Sequence, residues 1–194
     1  MKSLQDCYTL RNGVRIPCVG FGTWQTPDGD VACDSVREAI LAGYRHIDTA
    51  AAYGNEQSVG EGIRESGVAR SELFITTKLW NTEHGYESTL RAFDQSMALL
   101  GIDYCDLYLI HWPNPAAFRD CWEKKNAETW KAMEKLYLEG RIRAIGVSNF
   151  HPHHIDALLG TATIMPMVNQ IRLHPAEQQK DVSAYSRKLG MLLE

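Results

Sequence analysis

Hydrophobic positions along the chain change period at Pro17. Tyr8 to Pro17 (YTLRNGVRIP) alternates apolar and polar residues around Asn12-Gly13, the pattern of a hairpin closed by a two-residue type I′ turn. Beyond it, short apolar runs alternate with segments of helical period. The runs predict strands over Val19–Gly22, His46–Thr49, Leu73–Lys78, Asp106–His111, Ala144–Ser148 and Met167–Ile171. Leu90, Phe93, Met97 and Leu100 share one helical face, as do Trp130, Met133 and Tyr137, and again Val182, Tyr185 and Leu189. Gly43, Gly67, Gly101, Gly140, Gly160 and Gly190 follow the helical segments, where a glycine ends a helix.

Strand–helix units in series predict an α/β fold with a parallel sheet. A doubly wound sheet expects G-x-G-x-x-G after its first strand, but that place reads GFGTWQTPDG. A TIM (β/α)8-type barrel with an N-terminal β-hairpin fits better. Such barrels take about 250 residues, whereas this chain has 194. The expectation is a single barrel domain over residues 1–194 with about six βα units, incomplete at the C-terminus. Met191-Leu-Leu-Glu194 reads as the opening of a seventh strand; the rest of strands seven and eight is missing. Val19–Gly22 and Met167–Ile171 would then be the open edges of the sheet.

Composition narrows the class. Hydrophobic residues make up 44%, charged residues 23%, and the net charge is −4, which disfavours a broad basic face for nucleic acid. No apolar run is long enough to span a membrane, and the start, MKSLQDCYTL, has no apolar signal core. Five cysteines without C-x-x-C spacing point to reduced thiols and a cytoplasmic protein.

In a barrel the chemistry sits where strands end. Here each strand is apolar until its last residue or two. Strand two ends in Asp48-Thr49 with Tyr53 beyond, strand three in Lys78 before Trp80, and strand four in His111 before Trp112. Strand five ends in Ser148-Asn149, and strand six carries Asn169-Gln170. One polar strand end is ordinarily a helix cap or a surface charge; five on one rim form a site. A tyrosine with a pKa near ~10 donates poorly at neutral pH, and a neighbouring ammonium lowers that value. Tyr53, Lys78, Asp48 and a neutral His111 therefore fit proton transfer to a carbonyl oxygen. No side chain supplies a hydride, so a nicotinamide cofactor must. Trp24, Trp80 and Trp112 could wall an apolar substrate pocket, under a long connection from Trp112 to Lys125 that contains Phe118 and Trp122 and reads as a lid. His151, His153 and His154 lack a completing ligand and read as a solvated helix start; no metal site is expected.

Six blocks carry a family resemblance. They are Gly20-Phe-Gly-Thr-Trp24, His46-Ile-Asp-Thr-Ala-Ala-Ala-Tyr-Gly-Asn-Glu56, Thr76-Thr-Lys-Leu-Trp80, Leu100 through Pro113, Ile145-Gly-Val-Ser-Asn-Phe150 and Val168-Asn-Gln170. Together they resemble the aldo-keto reductases. The resemblance implies a (β/α)8 barrel that reduces aldehydes and ketones with NADPH, NADH being a second option. It puts the catalytic tetrad on Asp48, Tyr53, Lys78 and His111. Cofactor contacts fall on Gly22, Thr23, Trp24, Asp48, Ser148, Asn149 and Gln170, and substrate contacts on Trp24, Trp80, His111 and Trp112. The expected partner is a small carbonyl compound, with no nucleic acid and no membrane, and the full-length protein is expected to be a monomer. The family's adenosine-gripping segment, which follows its eighth strand, has no counterpart in these residues, and Arg172 stands in a stretch where the family often has an acidic residue. Two competing readings are a lyase that uses Lys78 as a Schiff base and a cofactor-sensing subunit without turnover.

Overall fold

The computed structural model describes residues 3–194. A two-stranded antiparallel hairpin, β1 (Cys7–Thr9) and β2 (Arg15–Pro17), precedes a parallel sheet. The sheet and its helices follow in the order β3 (Phe21–Gly22), α1 (Asp30–Leu41), β4 (His46–Asp48), α2 (Glu56–Glu65), β5 (Phe74–Leu79), α3 (Tyr86–Leu100), β6 (Cys105–Ile110), α4 (Trp122–Leu138), β7 (Ile142–Ser148), α5 (Pro152–Leu159), β8 (Val168–Gln170), α6 (Lys180–Lys188) and β9 (Leu192–Leu193). The seven strands lie side by side in chain order, β3 to β9, and every neighbouring pair is parallel.

The sheet is curled. β4 and β8 are far apart in the strand order, yet Gln170 at the end of β8 donates a hydrogen bond of 2.8 Å to Asp48 at the end of β4. Likewise, His46 of β4 and Glu194 just beyond β9 approach to 3.6 Å. All six residues of β5 and of β6 are buried, as expected of central parallel strands covered on both faces. The helices bury the faces that periodicity predicts. In α3 these are Phe93, Met97 and Leu100, with Leu90 partly covered; in α4 they are Trp130 and Met133.

Three expectations change. The hairpin is not closed by a type I′ turn. Thr9 pairs with Arg15, Leu10 N–H bonds the Val14 carbonyl, and only Gly13 of the Asn12-Gly13 pair has positive φ, at 86°. A type I′ turn needs positive φ at both central residues; a three-residue loop that ends in a left-handed glycine needs it at one. Asn12 instead accepts the Val14 N–H and donates to the Arg143 carbonyl at the start of β7, while Leu10 and Ile16 are buried. The hairpin thus plugs the N-terminal end of the sheet. Second, Met167–Ile171 is not an edge, because β9 pairs with β8 through Val168–Leu192 and Asn169–Leu193. Among the described residues the outermost strands are β3 and β9. Third, Gly160 ends α5 in the right-handed region at φ −61°, whereas the other five helix-ending glycines have positive φ. Among the described residues no helix is long and apolar enough to cross a membrane.

Gly146, in the middle of β7, has no room for a side chain. A Cβ there would lie 2.7 Å from the Val168 carbonyl oxygen of β8 and 2.8 Å from Leu109 Cδ2 of β6. Gly146→Ala is expected to cost about 1–3 kcal/mol through overpacking. That corresponds to a melting point lower by several degrees in thermal denaturation followed by circular dichroism, and an unchanged midpoint would show that β7 and β8 separate freely.

Candidate active site at the C-terminal rim

The polar strand ends meet on one rim. Asp48 closes β4, Lys78 is the penultimate residue of β5, and His111 follows β6. Ser148 closes β7 and Gln170 closes β8. Tyr53 sits on the short 3₁₀ turn Ala51–Tyr53 after β4, which Gly54 ends at φ 70°. The turn carries its phenol back over the end of the neighbouring strand.

Lys78 is fully buried, and its ammonium is saturated. It donates to Asp48 Oδ1 at 2.5 Å and to the Thr49 carbonyl at 2.9 Å, and it lies 3.4 Å from the Tyr53 hydroxyl. Burial by itself would make this lysine easier to deprotonate. Asp48, by charge and hydrogen bond, together with Tyr53 and Glu194, outweighs that and holds its pKa above the ordinary lysine value. A Schiff-base lysine must present a neutral, mobile amine; Lys78 presents the opposite, which removes the lyase reading.

Tyr53 behaves differently from the sequence expectation. Its half-buried position raises the phenol above its ordinary pKa, and this outweighs the lowering by Lys78. The ammonium pulls in the expected direction, but Asp48 has taken up much of its charge. Tyr53 is therefore a fully protonated hydroxyl at neutral pH. Its ring meets His111 edge-on, with centroids 5.8 Å apart, and His111 meets Trp80 at 5.4 Å. Burial, assisted by Lys78, lowers the His111 pKa to about 4, so the imidazole is neutral, and its Nδ1 is buried without a hydrogen-bond partner.

The opposite side of the rim is a linked polar shelf. Asn149 holds the left-handed conformation, φ 61°, which asparagine tolerates better than most residues. Its amide donates to the His111 carbonyl and to Ser148 Oγ, and Ser148 donates to the Gln170 carbonyl. Gln170 reaches across to Asp48 Oδ2. Asn149 Oδ1 is left to accept from a ligand. A planar carboxamide fits this set, and Ser148, Asn149 and Gln170 are the residues that would hold it.

The remaining residues singled out from the sequence divide. Trp24, Trp80 and Trp112 stand exposed around the rim at 69%, 36% and 47%. Gly22 pairs with Asp48 across the sheet. Thr23 is fully buried instead: its hydroxyl bonds Thr49 Oγ1 and its N–H bonds the Asp48 carbonyl, so it braces β4 from inside. The lid reading of the Trp112–Lys125 connection loses its two aromatic residues. Phe118 stacks on His84 at 6.1 Å and Trp122 packs on His154 at 5.0 Å, as the first residue of α4. The histidine cluster is only partly solvated, because His154 is buried and closes a capping box with His151.

Sequence reasoning missed Asn55 and Glu56. Asn55 Nδ2 donates to the Thr23 and Thr26 carbonyls and so fixes the loop that carries Trp24. Glu56 is buried, accepts from Thr77 Oγ1 at 2.6 Å and Ser96 Oγ at 3.1 Å, and ties α2 to β5 and α3. Both follow Tyr53 closely within the family-like block, which was the one available signal.

The aldo/keto reductase family model matches residues 18–193. The chain belongs to the aldo/keto reductase family. It is 54% identical over 183 residues to the 9,11-endoperoxide prostaglandin H2 reductase of Trypanosoma cruzi, covering 94% of this chain and 62% of the relative. It is 53% identical over 192 residues to the glyoxal reductase of Bacillus subtilis, covering 99% of this chain and 67% of that one. The chain thus spans about two thirds of the length of these curated relatives. Among solved aldo/keto reductases, one from Brucella melitensis superposes with a TM-score of 0.90 at 47% identity, covering 97% of this chain and 71% of the other. The Bombyx mori aldo-keto reductase, solved in complex with NADP, superposes at 0.88 with 38% identity, covering 98% and 66%. These neighbours place the curled sheet within the aldo/keto reductase fold.

Coupling between Lys78 and Tyr53 is open to direct test. Lys78→Met is expected to raise further the pH at which Tyr53 ionises, read as phenolate absorbance minus that of the Lys78→Met/Tyr53→Phe double variant. An unmoved titration would mean that the 3.4 Å approach carries no electrostatic coupling.

Proposed function

We propose that the full-length protein reduces small aldehydes and ketones to alcohols with NADPH, NADH being the second option, and that Tyr53 is the general acid. The single observation that carries this reading is the Tyr53–Lys78–Asp48 chain, with neutral His111 beside it on the rim. It is supported by the reductases among the relatives and by a neighbour solved with NADP.

Ser148, Asn149 and Gln170 would hold the nicotinamide carboxamide, on the far side of Asp48 from Lys78. When bound, the reduced nicotinamide supplies the hydride that the protein's own side chains lack. The side chains manage the oxygen. His111, neutral, donates a hydrogen bond that orients the carbonyl. As the carbon accepts hydride, the electron pair of the C=O bond moves onto oxygen, and the Tyr53 hydroxyl gives its proton there. The resulting phenolate lies against the Lys78 ammonium, which Asp48 keeps charged and in place; solvent then restores the proton. Trp24, Trp80 and Trp112 offer apolar walls and favour aromatic or otherwise apolar carbonyls. The residues that a cofactor-sensing subunit would not need are all present, with Lys78 bonded to Asp48 and beside Tyr53 and with the His111 ring against Tyr53, which favours turnover.

Two variants of the full-length gene product test this. Tyr53→Phe removes only the proton donor, and general acid catalysis is typically worth about 10²–10⁴-fold. Carbonyl reduction, followed as NADPH oxidation, should fall by that order while fluorescence titration with NADPH stays unchanged. Near wild-type turnover would exclude Tyr53 as the acid. Trp112→Ala should cost more kcat/KM for an aromatic aldehyde than for methylglyoxal; equal losses for the two would remove Trp112 from the pocket.

A further inference from the structure

Beneath the tetrad lies a second carboxyl group that the mechanism above leaves unused. Glu194 follows β9, and the curl of the sheet turns it inward toward β4. Its Oε1 is 3.6 Å from Nε2 of His46, and its Oε2 is buried with no hydrogen-bond partner. One oxygen of Glu194, one of Asp48 and one ring nitrogen of His46 lie within 4.8 Å of one another. This trio has a metal-binding composition, but the ammonium of Lys78 already sits on Asp48 and is the cation of the cluster.

We propose that Glu194 is a positioning residue for Tyr53: its charge state sets how strongly the Asp48–Lys78 pair can stabilise the phenolate formed on proton transfer. The inference rests on the carbonyl-reductase reading, which it deepens. At 3.6 Å Glu194 Oε1 lies beyond hydrogen-bond reach of His46 Nε2, so the imidazole offers a charged carboxylate there no donor. His46 is fully buried between β4 and Gly20, where a Cβ would meet its ring at 2.9 Å, and burial lowers its pKa to about 4. The imidazole is therefore neutral. Its Nε2 lies 2.9 Å from Thr76 Oγ1, and its other nitrogen is within reach of the Pro17 backbone. An acceptor nitrogen facing a carboxylate oxygen is tolerated when the carboxyl carries a proton.

The groups facing Glu194 are His46 and Asp48 of β4, Tyr53 of the following turn, Lys78 of β5 and Gln170 of β8. Burial and then the Asp48 charge push the Glu194 carboxyl up to about 8, against the pull of Lys78 and of the nearby Gln170 amide. At neutral pH the buried cluster is then Asp48⁻ with Lys78⁺. Above about 8 a second negative charge joins it. That charge opposes phenolate formation on Tyr53. The sign follows: the acid group becomes harder to ionise as pH rises, so reduction slows on the alkaline side before Tyr53 itself titrates.

The test uses the full-length gene product and its Glu194→Gln and Glu194→Asp variants. Wild type should lose about three- to tenfold in kcat/KM for reduction as pH passes about 8. Glu194→Gln should abolish that step and lower the pH of Tyr53 phenolate formation by about one unit. The phenolate is read as absorbance against the matching Tyr53→Phe background. Glu194→Asp should keep the step. Infrared difference spectra at neutral pH should show a protonated carboxyl C=O band in wild type that Glu194→Gln removes. A Glu194→Gln protein with the alkaline step and the phenolate titration both unchanged overturns the proposal, as does a wild type with neither step nor band. The two readings fail separately. A protein that reduces no carbonyl but shows the phenolate shift and the band loses the proposed function and keeps the coupling. One that reduces carbonyls with an unaltered profile in Glu194→Gln does the reverse.

Discussion

Everything at the rim depends on one buried ion pair. An ammonium as deeply enclosed as that of Lys78 survives only against a partner held in fixed geometry. Asp48 meets that need with one oxygen and takes Gln170 on the other. The first bond joins the neighbouring strands β5 and β4; the second brings in β8, which a flat sheet would hold apart from both. The charge of the lysine is thus met from the next strand, and the curl of the sheet, through Gln170, holds the partner carboxylate in place. The same curvature sets His111, Tyr53 and the Ser148–Asn149 shelf around one opening.

The fold, and the meeting of Asp48, Lys78 and His111 on one rim, were readable because parallel strands buried on both faces leave a plain trace. Each is an apolar run that turns polar where it leaves the core, and reading those turning points located Asp48, Lys78, His111, Ser148 and Gln170. Tyr53 was readable by its short distance from Asp48 and by family resemblance. What escaped depended on where a chain segment goes after it leaves the sheet. Phe118 and Trp122 look like lid aromatics in one dimension, but in three they are claimed by His84 and His154. The bonds of Thr23 to Thr49 and to the Asp48 carbonyl likewise leave no mark in the sequence. Asn12-Gly13 has the letters of one turn and the dihedrals of another, because Val14 is bonded by Leu10 and not by Arg11, which leaves three residues in the loop.

The electrostatics were half readable. A lysine near a tyrosine gives the sign of one effect, and burial gives the opposite sign with greater weight, as Tyr53 shows. Glu194 escaped for a different reason. A lone carboxylate after two leucines carries no pattern, and its neighbours in space come from strands at the other end of the sheet.

The order of the strands also bears on how the molecule acquires its site. Neighbours in the sheet are neighbours in the chain, so most pairings form between segments separated by one helix, and each closes a much shorter loop than a contact between distant strands. The bond from Gln170 to Asp48 spans 122 residues. Its loop-closure entropy falls due only after the intervening strands are laid down. Asp48, Lys78 and Tyr53 lie on or beside two neighbouring strands, so their contacts close far shorter loops than the bond to Gln170 does. The rim is therefore built at two ranges, a short-range acid–base pair between neighbouring strands and a long-range clasp that brings the shelf of β7 and β8 up to it.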